Sequence, residues 1–263
     1  MNEHISKLIP EIKQLCAIAK LLANNGWAEA NAGNISIRLE RELHHLTESG
    51  EQFPLPAKYS ELAEKFFLVT ATKSRMRDIP NKPADCLGII KISADGSSYV
   101  KLWGKTPVTS EFPSHLAIHS MCKKKRPTIK AILHTHPPYL LVLSHFPEMR
   151  KNEALNDVLK RMHPEIPILM PSGMKLLPYR LPGTVKLANE TVKALRKVSL
   201  VVWCMHGVVS IAPDIEQAYD QVELYEKVAQ IYLMGLWAGK RISGLSNESL
   251  KEAWQVYGKK WEY

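Results

Sequence analysis

Ala131-Ile132-Leu133-His134-Thr135-His136-Pro137-Pro138 is a short apolar run closed by two histidines and stopped by two prolines. As a strand it places residues two apart on one face, so His134 and His136 point the same way where the strand ends. Two imidazoles so placed suit a zinc ion, which takes nitrogen ligands at about 2.0–2.1 Å. The same pattern also suits a partly buried polar pair. Other segments must decide, by supplying a third ligand, an acid and a substrate cradle.

On the N-terminal side, the spacing of Leu15, Ile18 and Leu22 predicts a helix over 10–24, opened by Pro10 and ended by Asn24-Asn25-Gly26. Asn31-Ala32-Gly33-Asn34 reads as a turn before an alternating strand at 35–39, and 40–62 reads as a polar surface excursion. Strands are expected at 66–71, 87–93 and 99–103, the last two flanking Asp95-Gly96 as a hairpin.

On the C-terminal side, helices are expected at 110–125 (just before the central strand), 139–146 and 152–162, and strands at 166–170 and 176–179. A helix over 184–197 precedes two apolar runs, 200–204 and 208–212, separated by Met205-His206-Gly207. Helices over 214–238 and 246–258 close the pattern. Hairpins beside helices, without strict βαβ repetition, predict a layered α/β fold with a substantially antiparallel sheet. With 263 residues, 45% of them hydrophobic, and no internal repeat, 1–263 reads as one domain.

The formal charge of +9 suits anionic partners, including nucleic acid, phosphorylated small molecules and anionic membranes. The only dense basic run, Lys123-Lys124-Lys125-Arg126, falls where a helix C-terminus favours cations. No aromatic or zinc-finger pattern supports nucleic acid. Cys16, Cys86, Cys122 and Cys204 form no CxxC pair, and scattered cysteines fit a reducing cytoplasm. Met1-Asn2-Glu3-His4 has no signal-peptide character, and no apolar run approaches the roughly 20 residues of a membrane span.

His206 is the candidate third ligand, because it ends an extended apolar run and precedes Gly207. Three protein ligands and one open position form a catalytic zinc pattern. A hydrogen-bonded core histidine would look the same. His4, His44, His45, His119 and His163 have no comparable context, and His115 and His145 fall in apolar helical patterns. Glu111, in Thr109-Ser110-Glu111-Phe112-Pro113, reads either as a first-turn acid favoured by the helix dipole or as an acid beside a metal. Thr109 and Ser110 with a helix start, Asn31-Ala32-Gly33-Asn34, and Thr70-Ala71-Thr72-Lys73-Ser74-Arg75 are three possible anion cradles or three ordinary turns. Glu165 is, locally, a carboxylate in a loop.

Taken in order, N-A-G-N-I-S, F-L-V-T, T-S-E, H-T-H and M-H-G-V-V followed by a long helix resemble the zinc-dependent class II aldolase/adducin family over roughly 10–240. Segments 86–104, 107–115 and 165–173 are most similar to its branch acting on L-rhamnulose 1-phosphate. The resemblance implies a three-layer α/β/α fold with a central, largely antiparallel sheet. It implies one Zn(2+) per subunit on His134, His136 and His206, Glu111 as catalytic acid, and Glu165 as a second carboxylate near the site. Asn31, Gly33, Asn34, Thr72, Thr109 and Ser110 would hold the substrate phosphate.

The resemblance also implies reversible cleavage of L-rhamnulose 1-phosphate to dihydroxyacetone phosphate and L-lactaldehyde by a cytoplasmic homotetramer, with no nucleic-acid or membrane partner. Other implied readings are L-fuculose-1-phosphate cleavage, ribulose-5-phosphate 4-epimerisation, sugar-phosphate dehydration and a non-catalytic adducin-like module. One segment departs from the family: its Gly-Ser-Gly is Ala71-Thr72-Lys73 here, which removes two glycines and adds a cation.

Overall fold

The computed structural model describes residues 10–257 apart from 44, 45, 47, 49, 152 and 241. His4, His44 and His45 lie outside the described residues. Nine strands form one sheet: β1 (Asn34–Leu39), β2 (Gln52–Pro54), β3 (Phe66–Thr70), β4 (Leu87–Ile92), β5 (Ser98–Gly104), β6 (Ala131–Thr135), β7 (Met174–Leu177), β8 (Leu200–Trp203) and β9 (Gly207–Ala212). The spatial order is β2-β5-β4-β3-β1-β6-β9-β8-β7. Every neighbouring pair is antiparallel except β7 with β8.

The helices are α1 (Pro10–Asn24), α2 (Pro83–Cys86), α3 (Phe112–Lys125), α4 (Pro138–His145), α5 (Ala154–Leu159), α6 (Glu165–Leu169), α7 (Val185–Leu195), α8 (Ile215–Trp237) and α9 (Asn247–Tyr257). They cover both faces of the sheet. Ala131 and Leu133 of β6 pack into the core formed with α1, α4 and α8, where Leu15, Leu140 and Val222 lie. Ile132 between them packs the other way, with Ile118 of α3 and Leu187 of α7. Period-two alternation with both faces covered explains why the central strands read as continuous apolar runs. The result is the expected three-layer α/β/α arrangement.

Three elements differ from the sequence reading. Residues 166–170, expected as a strand, form the short helix α6, because Pro167 cannot donate to a sheet ladder but is tolerated in a first helical turn. The strand expected at 176–179 lies at 174–177. Gly173, at φ +67°, turns the chain into it, and Pro178 has no N–H to extend it. The excursion at 40–62 contains β2, a three-residue edge strand on β5, too short for alternation to reveal.

Candidate active site

Strands β1, β6 and β9 are neighbours in the middle of the sheet, and their registers set Asn34 and Val209 on either side of His134. The three histidines meet at the ends of β6 and β8. His134 is buried, and its Nδ1 lies 2.9 Å from the Val208 carbonyl. A carbonyl only accepts, so Nδ1 carries the hydrogen and Nε2 is a free lone pair. His136 repeats the arrangement: its Nδ1 donates to Glu29 Oε1 at 2.7 Å, which turns Nε2 toward the cluster. The two Nε2 atoms face each other at 3.4 Å.

Two ring nitrogens this close can share a cation between them. Two Zn–N bonds of about 2.05 Å at a tetrahedral angle separate their nitrogens by roughly 3.3 Å, close to the observed spacing. His206 completes the set from the turn after β8, with Met205 left-handed at φ 60°. Its Nδ1 is buried and has no hydrogen-bond partner. One nitrogen from each histidine lies within 4.8 Å of the other two. Neutral nitrogen donors with one orphaned buried ring nitrogen fit a metal that takes imidazole ligands.

Burial holds the His134 imidazole well below its ordinary value, at about 3; Glu111 opposes that shift, while His136 and His206 add to it. His206 is lowered for the same first reason, burial, with His136 adding to it. Neutral imidazoles are the metal-binding form. Trp203 supports the cluster from behind, stacked on His206 with ring centres 5.0 Å apart and 4.8 Å from His134. Its indole N–H is anchored on Thr191 Oγ1 at 2.8 Å. Gly207 makes room for the rings, because a Cβ there would sit 2.7 Å from His136 Cδ2 and 2.8 Å from His134 Cε1.

Glu111 stands immediately before α3 as its N-cap residue, not within the first turn, and its carboxylate makes no cap hydrogen bond. Oε2 accepts from Asn34 Nδ2 at 3.0 Å and lies 3.8 Å from His134 Nε2. Burial pushes this carboxyl up, but His134, the Asn34 amide, His115 and His206 outweigh that and leave it lowered. Glu111 is therefore a carboxylate aimed at the histidines rather than a helix cap.

Asn31, Gly33, Asn34, Thr72, Thr109 and Ser110 line the same cavity of about 390 Å³ as Glu111 and the three histidines. Five chain segments thus converge on one polar hollow. Gly33, at φ +75°, brings the turn against β6, where a Cβ would meet the His134 carbonyl at 2.9 Å. Lys73 also lines the hollow and is left-handed, at φ 59°. The turn keeps a glycine-type backbone with a lysine in place, at a strain of about 1–2 kcal/mol. Glu165 stands apart: it lines a second cavity with Gln217, Asp220 and Glu223, and its side chain is 57% exposed.

Sequence reasoning missed Glu29 and Trp203. Glu29 is 107 residues from His136, and no local pattern announces the contact. Trp203 reads simply as the end of an apolar strand.

The sequence model described as Class II Aldolase and Adducin N-terminal domain matches residues 13–233. The chain belongs to the class II aldolase and adducin family. Among family relatives, rhamnulose-1-phosphate aldolase of Bacteroides thetaiotaomicron is 32% identical over 255 residues, covering 95% of each chain. Rhamnulose-1-phosphate aldolase of Listeria welshimeri is 33% identical, covering 85% of this chain and 83% of its own. The crystal structure of a sugar-phosphate aldolase from Thermotoga maritima superposes with a TM-score of 0.81 at 36% identity, over 89% of this chain and 98% of that one. The solved L-fuculose 1-phosphate aldolase, 20% identical with a TM-score of 0.65, shares the fold. These likenesses support a sugar-phosphate aldolase, a lyase of a metal-dependent family, and the His134, His136 and His206 cluster could bind the metal.

Proposed function

We propose that this aldolase reversibly cleaves L-rhamnulose 1-phosphate to dihydroxyacetone phosphate and L-lactaldehyde, using Zn(2+) held by His134, His136 and His206. The observation that carries this reading is the convergence of three imidazoles, the Glu111 carboxylate and three hydroxyl- or amide-bearing turns on one cavity. The names of its relatives supply the sugar.

When bound, zinc would act as a Lewis acid toward the negative charge that develops beside the ketone as the C3–C4 bond breaks. The chain's own groups do the rest. Asn31, Gly33 and Asn34 with Thr72, Thr109 and Ser110 bind the phosphate, and Lys73 adds a positive charge at the same edge. Holding the phosphate fixes which carbon faces the histidines. As the C3–C4 bond breaks, the C4 hydroxyl gives its proton to a base and C4 leaves as the aldehyde carbon of L-lactaldehyde. Glu111, beside His134 and oriented by Asn34, then delivers a proton to C3 of the three-carbon fragment and removes it in the reverse direction. No buried lysine is required, because the carbonyl is activated without a Schiff base. Glu165 is exposed and outside the hollow of its own chain, so its contribution would come to a neighbouring copy within a homotetramer. The setting is cytoplasmic rhamnose catabolism; no helix among the described residues is long and apolar enough to cross a membrane.

A cleavage assay on a panel of ketose 1-phosphates and a pentulose 5-phosphate, with and without chelator, tests the proposal. L-Rhamnulose 1-phosphate should be cleaved fastest, chelation should abolish turnover, and added zinc should restore it. Full activity after chelation, or preference for another sugar phosphate, would overturn the metal or the substrate assignment respectively.

A further inference from the structure

Helix α4 begins two residues after His136, and its far end touches the turn that carries His206. Its start has an unusual closure. Pro137 and Pro138 occupy the cap and first helical positions, where a local serine or aspartate would ordinarily accept the free N–H groups. Neither proline has a side chain that can do so. The cap comes instead from the long helix α8: Glu226 is 3% exposed, and its Oε1 and Oε2 accept the N–H groups of Tyr139 and Leu140 at 2.8 and 2.9 Å. Burying a carboxyl group is costly unless it is hydrogen-bonded, and here the two helix-start N–H groups supply those bonds.

The other end of α4 is tied as closely to the second histidine segment. Ser144 Oγ accepts the Met205 N–H at 2.9 Å, and the Ser144 carbonyl accepts from the Cys204 thiol at 3.3 Å. Met205 is the left-handed residue of the turn that presents His206. The Ser144 hydroxyl donates in turn to the Leu141 carbonyl at 2.7 Å, so the clamp is anchored on α4 itself.

We propose that α4 is a strut coupling His136 to His206, and that Glu226 and Ser144 are the positioning residues that set its two ends. Neither touches the cavity. Ser144 acts through the N–H of Met205, next to His206, and Glu226 through the N–H groups of Tyr139 and Leu140, three and four residues past His136, so the two set the ends of the helix that spans the ligand segments. The inference rests on the metal-site reading above.

The test is zinc affinity, measured on the full chain by competition with a chromophoric chelator. Ser144→Ala and Glu226→Gln should each weaken zinc binding about 10–100-fold, the range typical of groups that orient metal ligands. Ser144→Thr, which keeps the hydroxyl, should restore it. Tyr225→Phe is the control: it removes a buried hydroxyl contact to Asn156 from the same helix, and it should leave zinc affinity unchanged. Amide exchange at Met205 should also accelerate in Glu226→Gln, although residue 226 does not touch it. Unaltered zinc affinity in Ser144→Ala, or an equal loss in Tyr225→Phe, overturns the strut while leaving the metal site standing. Absence of zinc binding by the unaltered chain overturns both.

Discussion

Gly207 lies so close to His136 that a methyl group in place of its hydrogen would stand 2.7 Å from His136 Cδ2, and 2.8 Å from the Thr135 carbonyl. The φ of Gly207 is not left-handed, so alanine is excluded by the two rings and the Thr135 carbonyl and not by the glycine's own φ. Gly207→Ala should keep the fold but spread the histidines, lowering zinc affinity by about 10-fold or more. Equilibrium dialysis checks this; an unchanged dissociation constant would refute the packing argument.

Glu29 holds His136 by its Nδ1–H, the carboxylate–imidazole arrangement that orients a ligand and raises its basicity. Glu29→Ala should cost about 10–100-fold in metal affinity while leaving thermal stability nearly unchanged, since Glu29 is a largely exposed residue. Calorimetric zinc titration beside a melting curve separates the two effects.

Glu111→Gln preserves size and a carbonyl oxygen for Asn34 but cannot carry a proton. Loss of a general acid–base group should lower kcat by about 10²–10⁴-fold with KM little changed. A change confined to KM would instead assign Glu111 to binding.

Lys73 lines the hollow, beside the residues proposed to hold the phosphate, in a glycine-like conformation. Lys73→Ala should raise KM for a ketose 1-phosphate by about 10-fold, in line with loss of one charge-assisted hydrogen bond, with kcat nearly constant. The unaltered enzyme should show a KM that rises with salt, and the variant should lose most of that dependence.

Acid should destabilise the metal-free protein. Ser36 Oγ lies between His115 Nδ1 at 2.7 Å and His119 Nε2 at 2.8 Å; both rings are buried, and His119 Nδ1 has no hydrogen-bond partner. Burial drives His115 down to about 4 and His119 well below its ordinary value. An unfolded imidazole takes a proton near pH 6.5 and the folded one does not. Stability is therefore fully present above about 6.5 and falls as pH drops toward 4, by about 3 kcal/mol from His115 alone.

Glu226 runs the other way. Burial raises it to about 7, and the two backbone N–H groups only partly offset this, so its contribution is present below the unfolded value of about 4.3 and is lost as pH rises through 7. Urea unfolding at pH 7.5, 6.0 and 5.0 should show a net fall, steeper in Glu226→Gln. A flat profile would contradict neutral burial of the histidines.

Much of the fold was legible along the chain. Period-two and period-3.6 patterns located β1, β6, β8, β9, α1, α7 and α8, because each element buries a face whose periodicity is written locally. The histidines, Glu111 and the Asn31–Asn34 turn could be named as candidates from residue type and position at element ends. Local patterns failed at 166–170, where an apolar run suits a strand or a helix and a proline decides, and at β2, which exists only because β5 offers it an edge.

The amino-acid sequence by itself determined which residues could carry the chemistry, since that depends on their types and on local periodicity. Only the tertiary structure decided that His134 and His136 turn their ring nitrogens toward His206, that Glu111 turns from its helix toward them, and that Glu165 lies elsewhere. Those outcomes depend on contacts between segments 70 to 110 residues apart: Glu111 with Asn34 at a separation of 77, His134 with Val208 at 74, and His136 with Glu29 at 107. Such contacts arise from strand register and helix packing, which bring distant segments together without any mark in the sequence around them.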